Sequence, residues 1–93
     1  MSHVSAEDVR QCVLDFLDED LKAQGRRLQR EISDECDLLT EGLVDSVGFL
    51  TMTARVEEHF GVEIDYEELD PDEMAILGPF CRHVAEEARK TKG

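Results

Sequence analysis

Apolar residues recur at three- and four-residue steps in two separate stretches of this chain: Val9, Cys12, Val13, Phe16, Leu17 and Leu21, then Phe49, Met52, Thr53, Val56 and Phe60. Such spacing puts each set on one face of an α-helix. Ser5 precedes the first stretch, with Glu7 and Asp8 in its opening turn, where a side-chain cap and acids satisfy free amides. A first helix is therefore expected over about Ala6 to Ala23, ending near Gly25. The second stretch holds no proline and stops before Gly61, which predicts a helix over Ser46 to Phe60 with a glycine stop.

Residues 24 to 45 lie between them, and their apolar members Leu28, Ile32, Leu38, Leu39, Leu43 and Val44 keep no single period. A loop of that length inside a compact domain is uncommon unless it is functional, so this one is expected to be ordered and to lie back against the core, with Gly42 supplying a turn. After VEID, Pro71 limits any helix around Tyr66 to a turn or two. Pro79 suits the first turn of a final helix marked by Phe80, Val84, Ala85 and Ala88 and running to about Arg89, beyond which Lys90, Lys92 and Gly93 should fray. The expected fold is all-α: a small four-helix bundle of three main helices and one short one, with a long loop between the first two. With 93 residues the chain forms a single domain, 1–93, with an ordered core over about residues 5–89.

Charge narrows the range of partners. Ten Lys+Arg against 23 Asp+Glu give a net charge of −13, which argues against nucleic-acid phosphates or an anionic membrane and favours basic partners. Fifteen of the acids fall within residues 31 to 73 against one base, Arg55. A hydrophobic fraction of 41% is too high for a disordered acidic tail. No apolar run reaches membrane-spanning length and the first residues lack the layout of a secretory signal, so a cytoplasmic monomer is expected. Cys12, Cys36 and Cys81 are odd in number and widely spaced, which predicts reduced thiols. His3, His59 and His83 offer no ligand pair, so no metal site is expected.

On the second helix a further apolar set, Val47, Leu50 and Ala54, lies on a different face from the core stripe, beside Thr51, Glu57 and Glu58. It has two readings: a docking strip edged by carboxylates, or a wider buried face. Ser46 is no hydrolase nucleophile paired with His59, because thirteen helical residues separate them by about 20 Å. Without a GxSxG turn, and with too small a core for a pocket, the chain is not expected to be an enzyme.

The run GLVDSVGFL, Gly42 to Leu50, resembles the attachment motif of acyl carrier proteins, in which Asp-Ser and an aliphatic residue open the second helix. Glu57, Glu58, Phe60, Gly61 and Ile64 are similar to that family's Glu-Glu-x-Phe-Gly-x-x-Ile pattern, so the likeness runs closely over residues 37 to 69. It implies that Ser46 is the attachment point for 4'-phosphopantetheine from coenzyme A, and that Asp45 helps the transferase recognise the site. A phosphodiester on Ser46 would sit at a helix N-terminus, which stabilises anions. The resemblance also implies that partner enzymes read Val47, Leu50, Ala54, Glu57 and Glu58, with Thr51 among them. Those partners would be a phosphopantetheinyl transferase, an acyl or aminoacyl ligase that loads the arm, and a downstream acyltransferase, synthase or condensing enzyme.

Fatty-acid carriers usually place more acids early in this helix, where this chain has Gly48 and Thr51, and Arg55 adds a positive charge mid-helix. Stand-alone aminoacyl carriers have a similar Gly-x-x-Asp-Ser loop with a small residue two after the serine. A core of Phe16, Phe49, Phe60 and Phe80 with few aliphatics also looks unaccommodating to a long chain. Aminoacyl or short acyl cargo is therefore expected, with a fatty-acid or polyketide carrier and an unmodified helical interaction module as the alternatives. Because the acids of residues 31 to 73 repel one another, added salt or divalent cations should raise the melting temperature. A melting temperature that falls with salt would refute this.

Overall fold

The computed structural model describes residues 4–27, 31–65, 67–70 and 72–92, without the side chains of 91 and 92. It contains three helices, α1 (Ala6–Ala23), α2 (Ser46–Phe60) and α3 (Leu77–Lys92), with α1 packed against both others. No strand forms among the described residues beyond an isolated antiparallel bridge between Asp37 and Ile76.

The ends of α1 and α2 follow from local chemistry. Ser5 is extended, its hydroxyl accepts the Asp8 N–H at 3.1 Å, and the Asp8 carboxylate accepts the Ser5 N–H at 3.1 Å, a reciprocal capping box. At the far end of α2, Gly61 turns left-handed at φ +66, where a β-carbon would be strained, and the chain reverses with the Val62 N–H donating to Glu57 O at 3.1 Å.

The long connection is ordered, and it caps α3. Leu77 N–H donates to Cys36 O at 3.0 Å, Gly78 N–H to Asp34 O at 2.8 Å, and Leu38 N–H to Ala75 O at 2.9 Å. Two otherwise unpaired amides of the α3 N-terminus are thus satisfied by loop carbonyls. Arg10 of α1 holds the same loop, its Nη2 donating to Ile32 O at 2.6 Å and its Nε to Asp34 Oδ1 at 3.3 Å. Ile32, Leu38 and Val44 are consequently buried with the helix stripes, while Leu43 is half-buried; Leu28 lies outside the described residues.

Several expectations need correction. Only turns appear between α2 and α3 among the described residues, where a short helix was expected around Tyr66; Tyr66 and Pro71 themselves lie outside them. Aspartate side chains compete for the backbone there, Asp65 Oδ1 accepting from the Glu67 and Glu68 amides and Asp70 Oδ1 from Asp72. Helix α3 begins at Leu77 with Pro79 in its first turn, as expected, but runs on past Arg89 to Lys92, with Lys90 Nζ bonded to Glu68 at 3.1 Å and Glu87 at 3.2 Å. Nor is the core poor in aliphatics. Phe49 and Phe80 meet edge to face at 6.0 Å, but Val9, Val13, Leu17, Val56 and Val84 share their core cluster, and Val62, Ile64 and Leu69 join it from the second connection. Phe60 is only half-buried, against the edge of His59.

No disulfide joins Cys12, Cys36 and Cys81 to one another. Burial pushes Cys81 up to about 12, with Asp34 adding to the effect, and burial likewise raises Cys12. The loop's close approach to α3 depends on Gly78, where a β-carbon would stand 2.9 Å from Asp34 Cβ and 3.0 Å from Asp34 O. Although alanine is the better helix former, Gly78→Ala should cost about 1–2 kcal/mol of unfolding free energy by denaturant titration. Equal or greater stability would contradict this packing.

Candidate functional site

The segment leading into α2 is tied down at each end. Asp37 Oδ1 accepts the Leu39 and Thr40 amides at 3.0 Å, and Leu38 O accepts from Leu43 and Val44 at 3.0 and 3.3 Å, with Gly42 turning at φ +75 between them. Val44 is buried just before the helix and Phe49 just inside it. The residues between these anchors are carried outward, so Asp45, Ser46 and Val47 are all exposed.

Asp45 is the N-cap of α2. Its backbone is extended and its Oδ1 accepts the Gly48 N–H at 2.6 Å. Ser46, the first helical residue, has its hydroxyl in solvent with no partner among the described residues. The Ser46 and Val47 amides have no intrahelical acceptor, and α2 has no acid in its first turn. An anion on the Ser46 oxygen would therefore meet free N–H groups and the positive end of the helix dipole. Residues and geometry fit a phosphodiester attached there.

The second stripe of α2 is exposed, which excludes its reading as a wider buried face. Val47 is 71% and Leu50 62% exposed, Leu39 of the preceding loop is 37% exposed, and Thr51, Ala54 and Glu58 are on the surface. Thr51 Oγ1 donates back to Val47 O at 3.0 Å, so its proton is committed and only its methyl group and acceptor lone pairs remain on the surface. An open hollow of about 540 Å³ continues the stripe past Ala54, edged by Glu57, Glu58 and Glu63.

Glu57 differs from its neighbour. It is half-buried, and its Oε2 accepts the Ile64 N–H at 2.9 Å, latching the chain after Gly61 against α2. Sequence reasoning assigned Glu57 and Glu58 alike to partner contact; the left-handed Gly61, which turns residue 64 back past residue 57, is the signal that separates them. Arg55 also faces away from the stripe, its guanidinium 5.1 Å above the Phe16 ring and 3.5 Å from Glu19 Oε1. His59 is exposed, whereas His83 is buried with its Nε2 lacking a hydrogen-bond partner among the described residues. No three His, Cys, Asp or Glu side chains are placed to hold a metal ion among the described residues. No helix among them is long and apolar enough to cross a membrane.

Compared with known protein families, curated proteins and solved structures, the chain finds no significant match.

The latch separates the two glutamates experimentally. Glu57→Ala should lower stability by about 1–2 kcal/mol, the worth of a partly shielded charged hydrogen bond, whereas Glu58→Ala should change it by less than about 0.5 kcal/mol. Equal losses in the two variants would show that Glu57 is not a latch.

Proposed function

We propose that this chain is a discrete carrier protein that bears 4'-phosphopantetheine on Ser46 and presents acyl or aminoacyl groups to biosynthetic enzymes. The observation that carries the reading is the exposed Ser46 hydroxyl beside the Asp45 cap, at a helix start that favours an attached phosphate. The resemblance of GLVDSVGFL to the acyl-carrier attachment motif agrees with that geometry. When attached, the arm supplies a thiol that holds cargo as a thioester. The chain itself is then a substrate of other enzymes, a phosphopantetheinyl transferase first, then a ligase that loads the arm and a synthase or acyltransferase that unloads it. Its place of action is the cytoplasm. On this reading the fold is an acyl-carrier-like bundle in which the turns at 67–69 and 72–75 stand where such a bundle has its short third helix.

Exposed Val47 and Leu50, with Ala54 and Glu58 beyond them, form the surface that partners would read, and partners with a basic rim suit it. For cargo, aminoacyl or short acyl groups are preferred to fatty-acid or polyketide chains. That preference now rests on Gly48 and Thr51 standing where acids are usual, because Arg55 is engaged with α1 and the core is rich in aliphatics. The same exposed stripe is the specific observation for a second reading, an unmodified interaction module.

Intact mass before and after incubation with coenzyme A, Mg²⁺ and a broad-specificity transferase separates the two. A single pantetheinyl addition, missing in Ser46→Ala, is the expected result. A folded wild-type protein that gains no mass would leave the interaction module.

A further inference from the structure

We infer that Gly48 is a positioning residue for the modification of Ser46, acting through Asp45; the inference rests on the carrier reading above. In that modification Ser46 Oγ attacks the phosphorus that bears the pantetheine in coenzyme A. A P–O bond to that phosphorus forms, the pyrophosphate P–O bond breaks, adenosine 3',5'-bisphosphate leaves with its electron pair, and the serine proton passes to a base of the transferase. Whatever in the transferase reads Asp45 meets a carboxylate that the first turn of α2 has already oriented.

Position 48 is the third residue of α2, where local rules favour an acid or a strong helix former and disfavour glycine. A local rule broken beside a functional site calls for a geometric reason, and the surroundings of Gly48 supply one. A β-carbon at this position would stand 3.1 Å from Asp45 Oδ1 and 3.5 Å from Val44 Cβ. The distance to Val44 is ordinary contact, so the tight one is to the Asp45 oxygen, which is drawn to 2.6 Å from the Gly48 amide. A side chain here shifts the Asp45 carboxylate by a few tenths of an ångström and lengthens its short cap bond without breaking it. Glycine lets the carboxylate lie across the turn on Oδ1, leaving Oδ2 without a partner among the described residues and free for the transferase.

The test compares wild type, Gly48→Ala, Asp45→Asn and the double variant for rate of mass gain with transferase, coenzyme A and Mg²⁺. Melting temperature and the proton shift of the residue 48 amide are read alongside. Gly48→Ala should melt no lower than wild type, since alanine is the better helix former. It should nonetheless be modified with kcat/KM reduced about tenfold, and its residue 48 amide should lose the downfield shift of a short bond to a carboxylate. In the Asp45→Asn background, where the cap survives but the charge does not, Gly48→Ala should cost nothing further. An unchanged rate in Gly48→Ala, or the same loss in both backgrounds, overturns the inference while leaving the carrier reading intact. A wild-type protein that accepts no arm overturns both.

Discussion

The structure depends on one backbone contact, the docking of residues 34–38 onto residues 75–78. Helices of 18, 15 and 16 residues, each burying one apolar stripe, leave the sides of the core open. The connections must close it, and a connection can be buried only where its amides and carbonyls find partners. The Leu38, Leu77 and Gly78 amides and the Asp34, Cys36 and Ala75 carbonyls meet that condition in one place. Leu38 then enters the core, α3 receives its cap, and Arg10 fastens the loop from the α1 side.

The site is a product of the same docking. Once Leu38 is fixed, its carbonyl gathers the Leu43 and Val44 amides, and Val44 is drawn into the core. Phe49, buried against Phe80, fixes the other side of the turn. Asp45 to Val47 have nowhere to go but outward, so an exposed hydroxyl, the carboxylate that caps the helix and the first residue of the exposed apolar stripe emerge together. The free amides at that point would make a phosphate attached there compatible with a chain carrying so many acids.

Much of this was legible in the sequence where the determinants are local. Helices α1 and α2 begin and end where Ser5, Asp45 and Gly61 place them, and the α2 core stripe of Phe49, Met52, Thr53 and Val56 is buried as its spacing required. Ser46 and Asp45 were legible as a pair at a helix start, and the structure adds their exposure. Illegible were the determinants that act across the chain. No pattern in residues 24 to 45 announces that carbonyls 34 and 36 will cap a helix some forty residues later. The Glu57 latch depends on where Gly61 sends the backbone, and Arg55 on its meeting with Phe16 and Glu19 of α1. In residues 67–76 the competing interaction is local, yet hydrophobic spacing does not register aspartates that bond their own backbone.

The central claim is that Ser46 carries a covalent arm in the working protein. Fragment-ion mass spectrometry of the chain recovered from the cells that make it tests this most directly. The account predicts a phosphopantetheine group on the peptide containing Ser46 and on no other serine or threonine. Full recovery of that peptide with a bare Ser46 would contradict it.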